Sequence, residues 1–256
     1  MKNTLFKRAL SGAVLVLVVV GMTLAWYDPA LAGSAAAAGW PFYLLWTAVG
    51  ILTLWEYGRL LRKNAAVFHG KTGLARWRGM WLLLGGLYIA QAFVLIQMLD
   101  PMVVVTLMTV VWLSDTGAYL VGSAVGRHPM APKISPKKTW EGFAGGLLFA
   151  VAGALVWYAL YWGGEFEANG GVRLWGAEAY DGHVVGALKW AGFGLVVALA
   201  AAGGDLIESK FKRIVGVKDS GSFIPGHGGL LDRFDALLLA VPAAVGYVVW
   251  TGLLLG

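Results

Sequence analysis

Three polar segments interrupt a hydrophobic chain, and two of them carry residue types suited to handling phosphate. The longest runs from Asp205 to Asp235 and holds five of the fourteen acids: Asp205, Glu208, Asp219, Asp232 and Asp235. Asp205, Glu208, Ser209 and Lys212 recur at i, i+3, i+4 and i+7, so one helical face would present acids, a hydroxyl and a base. Lys218-Asp219-Ser220-Gly221 and Gly226-His227-Gly228-Gly229 follow, where glycines let backbone amides approach phosphate oxygens. This is not a Walker loop, because GxxxxGK[ST] does not occur. Asp232 and Asp235 then stand three residues apart with Arg233 between them, at the start of the last apolar run. Carboxylates there suit Mg²⁺, which takes one or two acids and completes its shell with phosphate oxygens. On this reading the acids form two pairs, Asp205 with Glu208 and Asp232 with Asp235, bracketing a basic, glycine-rich loop.

The second segment, WLSDTGAY from Trp112 to Tyr119, places Asp115 inside an apolar window. Fourteen residues beyond Pro101, at 1.5 Å each, put it roughly 21 Å from one end of a helix. A carboxylate at that depth is a functional candidate; the alternative is an Asp satisfied by Ser114, Thr116 or a neighbouring lysine. The third segment runs from Gly126 to Gly142. Pro129, Pro132 and Pro136 interrupt helix, and Ser135-Pro136 predicts an N-cap followed by proline at the first helical position. Exposed amides beside Lys137 and Lys138 would then form an anion site, unless the lysines only anchor the chain at lipid headgroups. His128 reads as a loop residue.

Hard oxygen ligands alternating with Lys and Arg are what phosphoryl or nucleotidyl transfer requires, since metal and cations neutralise charge building on phosphate oxygens. A transport path would place acids midway along helices instead. Asp205 lies about 20 residues, about 30 Å, from the far end of its apolar run, at a membrane boundary.

The elements that must position these residues are membrane helices. Hydrophobic residues form 59% of the 256 positions and charged residues 13%, and mean hydropathy is +0.70, outside the range of soluble globular chains. Cysteine is absent, which excludes disulfides, thiolate metal sites and thiol nucleophiles. A span needs about 20 mostly apolar residues, and windows at 9–26, 40–58, 79–98, 101–121, 143–162, 185–205 and 236–255 qualify. The expected fold is an all-α polytopic transmembrane bundle of about seven helices, with six to nine the range allowed. It forms a single membrane domain over 1–256, with N-terminal helices in 9–100 and catalytic helices and loops in 101–256. Alternate loops carry 18 of the 20 Lys and Arg, with Arg173 and Lys189 the exceptions, so the positive-inside rule puts the N-terminus and all three polar segments in the cytoplasm. The net charge of +6 is thus a topogenic signal and does not imply nucleic acid. Lys2, Lys7, Arg8 and Ala30-Leu31-Ala32 resemble a signal peptide with a cleavage site, but an uncleaved first helix preserves the alternation of charged loops. Residues 163–184 read as an acidic outer loop. Gly122–Gly126 and Gly142–Gly146 match the small-xxx-small spacing of close helix packing, and glycines of this kind also make a homodimer plausible.

The string from Ser209 to Asp235 resembles the signature of phosphatidate cytidylyltransferases (CDP-diacylglycerol synthases), S-x-x-K-R, four residues, K-D, then H-G-G-x-x-D-R-x-D, and every fixed position matches. WLSDTGAY, ISPKKTWEG and Trp55-Glu56-Tyr57 resemble further segments of that family, so the similarity spans residues 50–256. The resemblance implies condensation of CTP with phosphatidic acid to CDP-diacylglycerol and pyrophosphate in a bacterial inner membrane, the site facing the cytoplasm. It implies Mg²⁺, with or without a monovalent cation beside it, held by Asp205 and Asp232. Asp219, Asp235 and Asp115 are second-rank ligand candidates. Lys212, Arg213, Lys218 and Arg233 would neutralise triphosphate and departing pyrophosphate; Ser209, Gly226, Gly228 and Gly229 would donate hydrogen bonds; Lys137 and Lys138 would hold the lipid phosphate or the nucleotide. His227 would either protonate pyrophosphate or stabilise its turn. The lipid phosphomonoester is itself an anionic nucleophile, so no Ser-His-Asp arrangement is expected. Competing readings are a CTP-dependent polyprenol kinase, which would release CDP, and a lipid or ion transporter, which would need no nucleotide. A CDP-alcohol phosphatidyltransferase would need D-G-x-x-A-R, which is absent.

Overall fold

The computed structural model describes residues 12–14, 16–23, 39–63, 78–162, 183–221, 223 and 228–253. The expectations for the N-terminal basic cluster, the Ala30-Leu31-Ala32 site, the acidic loop, Gly226 and His227 fall outside these residues. The long helices among the described residues are α1 (Trp40–Lys63), α2 (Arg78–Met98), α3 (Pro101–Val125), α4 (Trp140–Trp157), α5 (His183–Val215) and α6 (Leu231–Thr251). A π-helical turn, Tyr158–Trp162, extends α4.

Among the described residues, five helical stretches are long and apolar enough to cross a membrane: Gly79–Met98, Pro101–Val125, Trp140–Leu160, Val184–Val215 and Leu231–Thr251. They coincide with five of the seven expected windows, and the chain is an all-α polytopic membrane protein. The window at 40–58 is also helical, within the 24-residue α1, but its tryptophans, tyrosines and Glu56 leave it less apolar than the other five. The first window is helical at residues 12–14 and 16–23.

The predicted helix start at Ser135-Pro136 is corrected by the structure. Residues 129–139 form an antiparallel hairpin of β1 (Pro129–Ala131) and β2 (Ser135–Thr139), pairing Pro129 with Thr139 and Ala131 with Ser135. A two-stranded ribbon is all edge, so the missing amides of Pro129 and Pro136 cost little there. The helix begins four residues later than Ser135-Pro136 predicts, because Thr139, extended at φ −120° and ψ 155°, accepts a hydrogen bond from Gly142 N at 3.1 Å. Glu141, in the first turn of α4, accepts from Arg127 N and His128 N at 3.2 Å and contacts His128 Nδ1, tying the hairpin base to the helix. Lys137 and Lys138 therefore stand on a strand, ahead of the helix N-terminus.

The glycine spacings belong to close packing of α3 on α4. A Cβ on Gly142 would lie 2.8 Å from Ala118 O and 3.1 Å from Gly122 Cα, and one on Gly117 would lie 2.8 Å from Gly145 O. The two backbones touch, so side chains at these positions are excluded.

By their contacts the residues group into two compact units. One contains Met1–Val105 with Ile207–Leu238, and the other Thr106–Leu206 with Leu239–Gly256. In the first, α1 and α2 pack together and aromatic side chains grip the end of α5 and the start of α6. Tyr57 and Trp81 lie 5.3 and 6.3 Å from the Phe211 ring, while Trp46, Phe93 and Phe234 form a cluster with centroids 6.0 to 6.4 Å apart. The Tyr57 hydroxyl donates to Trp81 O at 2.5 Å, directly over Gly85, where a Cβ would overlap it. In the second unit Tyr247 OH donates to Lys189 O at 2.8 Å and Trp157 Nε1 to Thr109 Oγ1 at 2.6 Å, so the aromatic groups satisfy their polar atoms inside the bundle.

The corrected cap makes a direct test. Thr139→Ala should destabilise the protein by about 1 kcal/mol and Thr139→Ser by much less, whereas Ser135→Ala should stay within about 0.5 kcal/mol. Thermal unfolding of the three variants in detergent decides this, and equal losses at 135 and 139 would contradict the assignment.

Candidate active site

Eight of the predicted residues fall into two groups, one in each unit: Asp115, Lys137, Lys138 and Asp205 in the second, and Lys212, Gly228, Gly229 and Asp232 in the first. In the second unit a cavity of about 410 Å³ is lined by Asp115 on α3, Lys137 and Lys138 on β2, Thr139, and Asp205 on α5, among others. Lys138 Nζ reaches Asp205 Oδ2 at 2.5 Å, with both side chains about a quarter to a third exposed. The close crossing of α3 and α4 forms one wall, with Gly122, Gly142 and Gly146 lining it, and the hydroxyls of Ser114, Ser123 and Thr139 add neutral hydrogen-bonding groups. With Tyr119, which also lines it, the cavity thus offers two carboxylates, two lysines and four hydroxyls. Such a surface suits an anion bound through cations and hydroxyls, with carboxylates left for a metal or a sugar.

In the first unit the group is built by the turn between α5 and α6. Gly216, at φ +81°, ends α5; its amide donates to Arg213 O at 3.2 Å and Val217 N to Lys212 O at 2.9 Å, a paired closure that frees the chain to turn back. The returning loop brings Ser220 N within 2.9 Å of Asp232 Oδ2, and Gly229 N donates to the same oxygen at 2.8 Å. Gly228 has φ +84°, and a Cβ there would lie 2.8 Å from that oxygen, so glycine is required on both conformational and steric grounds. Lys212 Nζ completes the group, 2.8 Å from Asp232 Oδ1 and 2.5 Å from Glu208 Oε2. All three charged side chains are largely buried, at 12% exposure for Lys212, 3% for Glu208 and 8% for Asp232. One cation therefore serves two buried carboxylates.

This arrangement differs from the expected acid pairs. Asp205 pairs with Lys138, and Glu208 shares Lys212 with Asp232; the reason is that buried like charges cost more than an interleaved cation. Asp235, one turn further along α6, is half-buried, and its Oδ1 accepts from Ala236 N at 2.7 Å. Arg213, Lys218, Asp219 and Arg233 are exposed around this group, with Arg213 Nη1 donating to Val217 O at 3.4 Å. Ser209 is half-buried on α5. Glu56 was not among the predicted site residues: its Oε2 accepts from Leu231 N, the first amide of α6, at 2.8 Å. The signal was present as an acid in an apolar window, which is functional by default.

The donor chemistry of both groups fits Mg²⁺ only when a substrate completes the shell. Among the described residues no three His, Cys, Asp or Glu side chains gather to hold a metal ion. Asp205 and Asp232 each present a carboxylate already oriented by a lysine, and phosphate oxygens and water normally supply the rest of a Mg²⁺ shell.

A profile of the cytidylyltransferase family matches residues 99–251. The chain belongs to the cytidylyltransferase family. Within the family it is 43% identical over 133 residues to the phosphatidate cytidylyltransferase of Staphylococcus aureus (strain COL), a match covering 52% of this chain and 44% of that relative. It is 39% identical over 140 residues to the phosphatidate cytidylyltransferases of Mycobacterium bovis and Mycobacterium tuberculosis, covering 54% of this chain and 38% and 36% of theirs. The chain thus aligns with less than half the length of these cytidylyltransferases. Both groups described above lie within the matched residues apart from Glu56, which comes from α1.

The shared cation makes a prediction of stability. Lys212→Met leaves Glu208 and Asp232 buried without a counter-charge and should cost about 3 to 5 kcal/mol, whereas Lys138→Met, whose pair faces solvent, should cost about 1 kcal/mol or less. Unfolding titrations in mixed micelles measure both, and equal effects would show that the first pair is no more buried in function than the second.

Proposed function

We propose that this chain transfers the cytidylyl group of CTP to phosphatidic acid, giving CDP-diacylglycerol and pyrophosphate. The observation that carries the reading is the two acid and lysine groups lying in the region matched to cytidylyltransferases, whose relatives bear the name of this reaction. The phosphomonoester oxygen of the lipid attacks the α-phosphorus of CTP, a new P–O bond forms, and the bond to the β-phosphate breaks with pyrophosphate leaving. The attacking oxygen is already anionic, so no general base has to be found among these residues. The work left to the protein is to position the reactants and neutralise charge.

Lys137 and Lys138 would hold an anionic phosphate in the cavity, and Lys138 keeps Asp205 oriented while the cavity is without substrate. Ser220 N and Gly229 N fix Asp232, and exposed Arg213, Lys218 and Arg233 would meet the charge of the triphosphate and of the departing pyrophosphate. Asp205 and Asp232 are the acids we assign to Mg²⁺, which when bound screens the phosphate oxygens and stabilises the leaving group. Asp115, Asp219 and Asp235 are the reserve. The charge distribution of the loops supports a cytoplasmic site in the bacterial inner membrane, where water-soluble CTP meets a lipid headgroup.

Purified protein incubated with α-labelled CTP and phosphatidic acid in detergent should place label in the lipid phase only when Mg²⁺ is present. Asp232→Asn should lower turnover by at least about 10²-fold in folded protein. Release of labelled CDP in place of labelled lipid would identify a kinase, and a folded sample yielding neither product would end the proposal.

A further inference from the structure

Glu56 occupies a position that a filler residue would not require. It is 5% exposed on α1, and its partner amide on α6 is 175 residues away. While Oε2 takes Leu231 N, Oε1 lies against the Cα atoms of Gly221 and Gly229, where a Cβ on either glycine would overlap the carboxylate. Two glycines on opposite sides of the α5–α6 turn thus make room for one acid. The Ser220 hydroxyl, itself buried, crowds Gly229 as well, and the Ser220 amide is held by Asp232. The two ends of the turn are clamped by two carboxylates, Asp232 from within α6 and Glu56 from α1.

We propose that Glu56 is a positioning residue for the nucleotide: it touches no substrate, and it holds the Lys218–Gly221 and Gly228–Leu231 backbone in the arrangement that receives the triphosphate. The proposal rests on the nucleotidyl transfer inferred above. Without the clamp, the backbone of these two stretches regains part of its conformational freedom, which CTP must then remove on binding. The cost falls on the nucleotide alone, because phosphatidic acid does not need this turn ordered before it binds.

The test uses full-length Glu56→Ala and Glu56→Gln. In ligand-free protein, hydrogen exchange of peptides covering 216–234 should be about tenfold faster in Glu56→Ala, with α3 and α4 unchanged. In turnover, KM for CTP should rise about tenfold while KM for phosphatidic acid stays within about twofold. Glu56→Gln keeps an acceptor of the same reach and should return both readouts to within about threefold of wild type. Unchanged exchange in 216–234, a loss of rate with both KM values unchanged, or a Gln variant as impaired as the Ala variant would each overturn the proposal. If Glu56→Ala gives no folded protein, Glu56→Asp, one methylene short of Leu231 N, is read in the same two assays with the same expectation. Should wild type label no lipid, the proposed reaction falls, and the exchange measurement still decides the role of Glu56.

Discussion

Burying Lys212 obliges the chain to bury its counter-charges with it. An ammonium group removed from water costs several kcal/mol unless carboxylates meet it with good geometry, and here Glu208 and Asp232 approach within 2.5 and 2.8 Å. Glu208 comes from the same helix, one turn earlier, so it follows from α5 being helical through its last turns. Asp232 comes from the next helix, and it can reach Lys212 only if the intervening turn doubles back. Gly216 ends α5, Gly228 takes a left-handed conformation, and Ser220 and Gly229 give their amides to Asp232. The turn is therefore shaped by an electrostatic requirement, and the oriented carboxylate is its product.

That requirement extends to helices far away in the chain. Phe211 and Phe234, which flank the charged group on α5 and α6, pack against Tyr57 and Trp81 and against Trp46 and Phe93 respectively. Apolar contact of this kind gives α5 and α6 a fixed register on α1 and α2, and Glu56 adds a polar tie at the first amide of α6. The N-terminal helices thus act as a platform for the segment from Ile207 to Leu238. In the other unit the corresponding device is backbone contact: glycines along α3 and α4 bring the helices together, and the hairpin at the start of α4 presents Lys137 and Lys138 to the cavity.

Local chemistry was legible in the sequence wherever one stretch of chain holds all the partners. The apolar runs announce their helices, and five of the expected windows appear as helices able to span a membrane. Asp115, Lys137, Lys138 and Asp205 come from three separate segments and line one cavity, a grouping that the spacing within each segment does not give. Pairings between segments were not legible. Spacing alone placed Asp205 with Glu208 on a helical face, but the lysine that claims Asp205 lies on a strand 67 positions earlier, and no periodicity encodes that contact. The hairpin was missed because Ser135-Pro136 is a good local cap, while pairing with Pro129–Ala131 removes those residues from the helix and leaves Thr139 to cap it. Glu56 was visible as an acid in an apolar run, yet its role depends on two glycines and an amide more than 160 residues away.

The central claim is that Lys212 and Asp232 form one electrostatic unit that shapes the turn around them. A double-mutant cycle with Lys212→Met, Asp232→Asn and the double variant, read as unfolding free energies in mixed micelles, measures that coupling. The account predicts a coupling of at least about 2 kcal/mol, with the double variant far less destabilised than the sum of the single ones. Losses that add to within about 0.5 kcal/mol would mean that the two side chains are neighbours without being partners, and the account would be wrong.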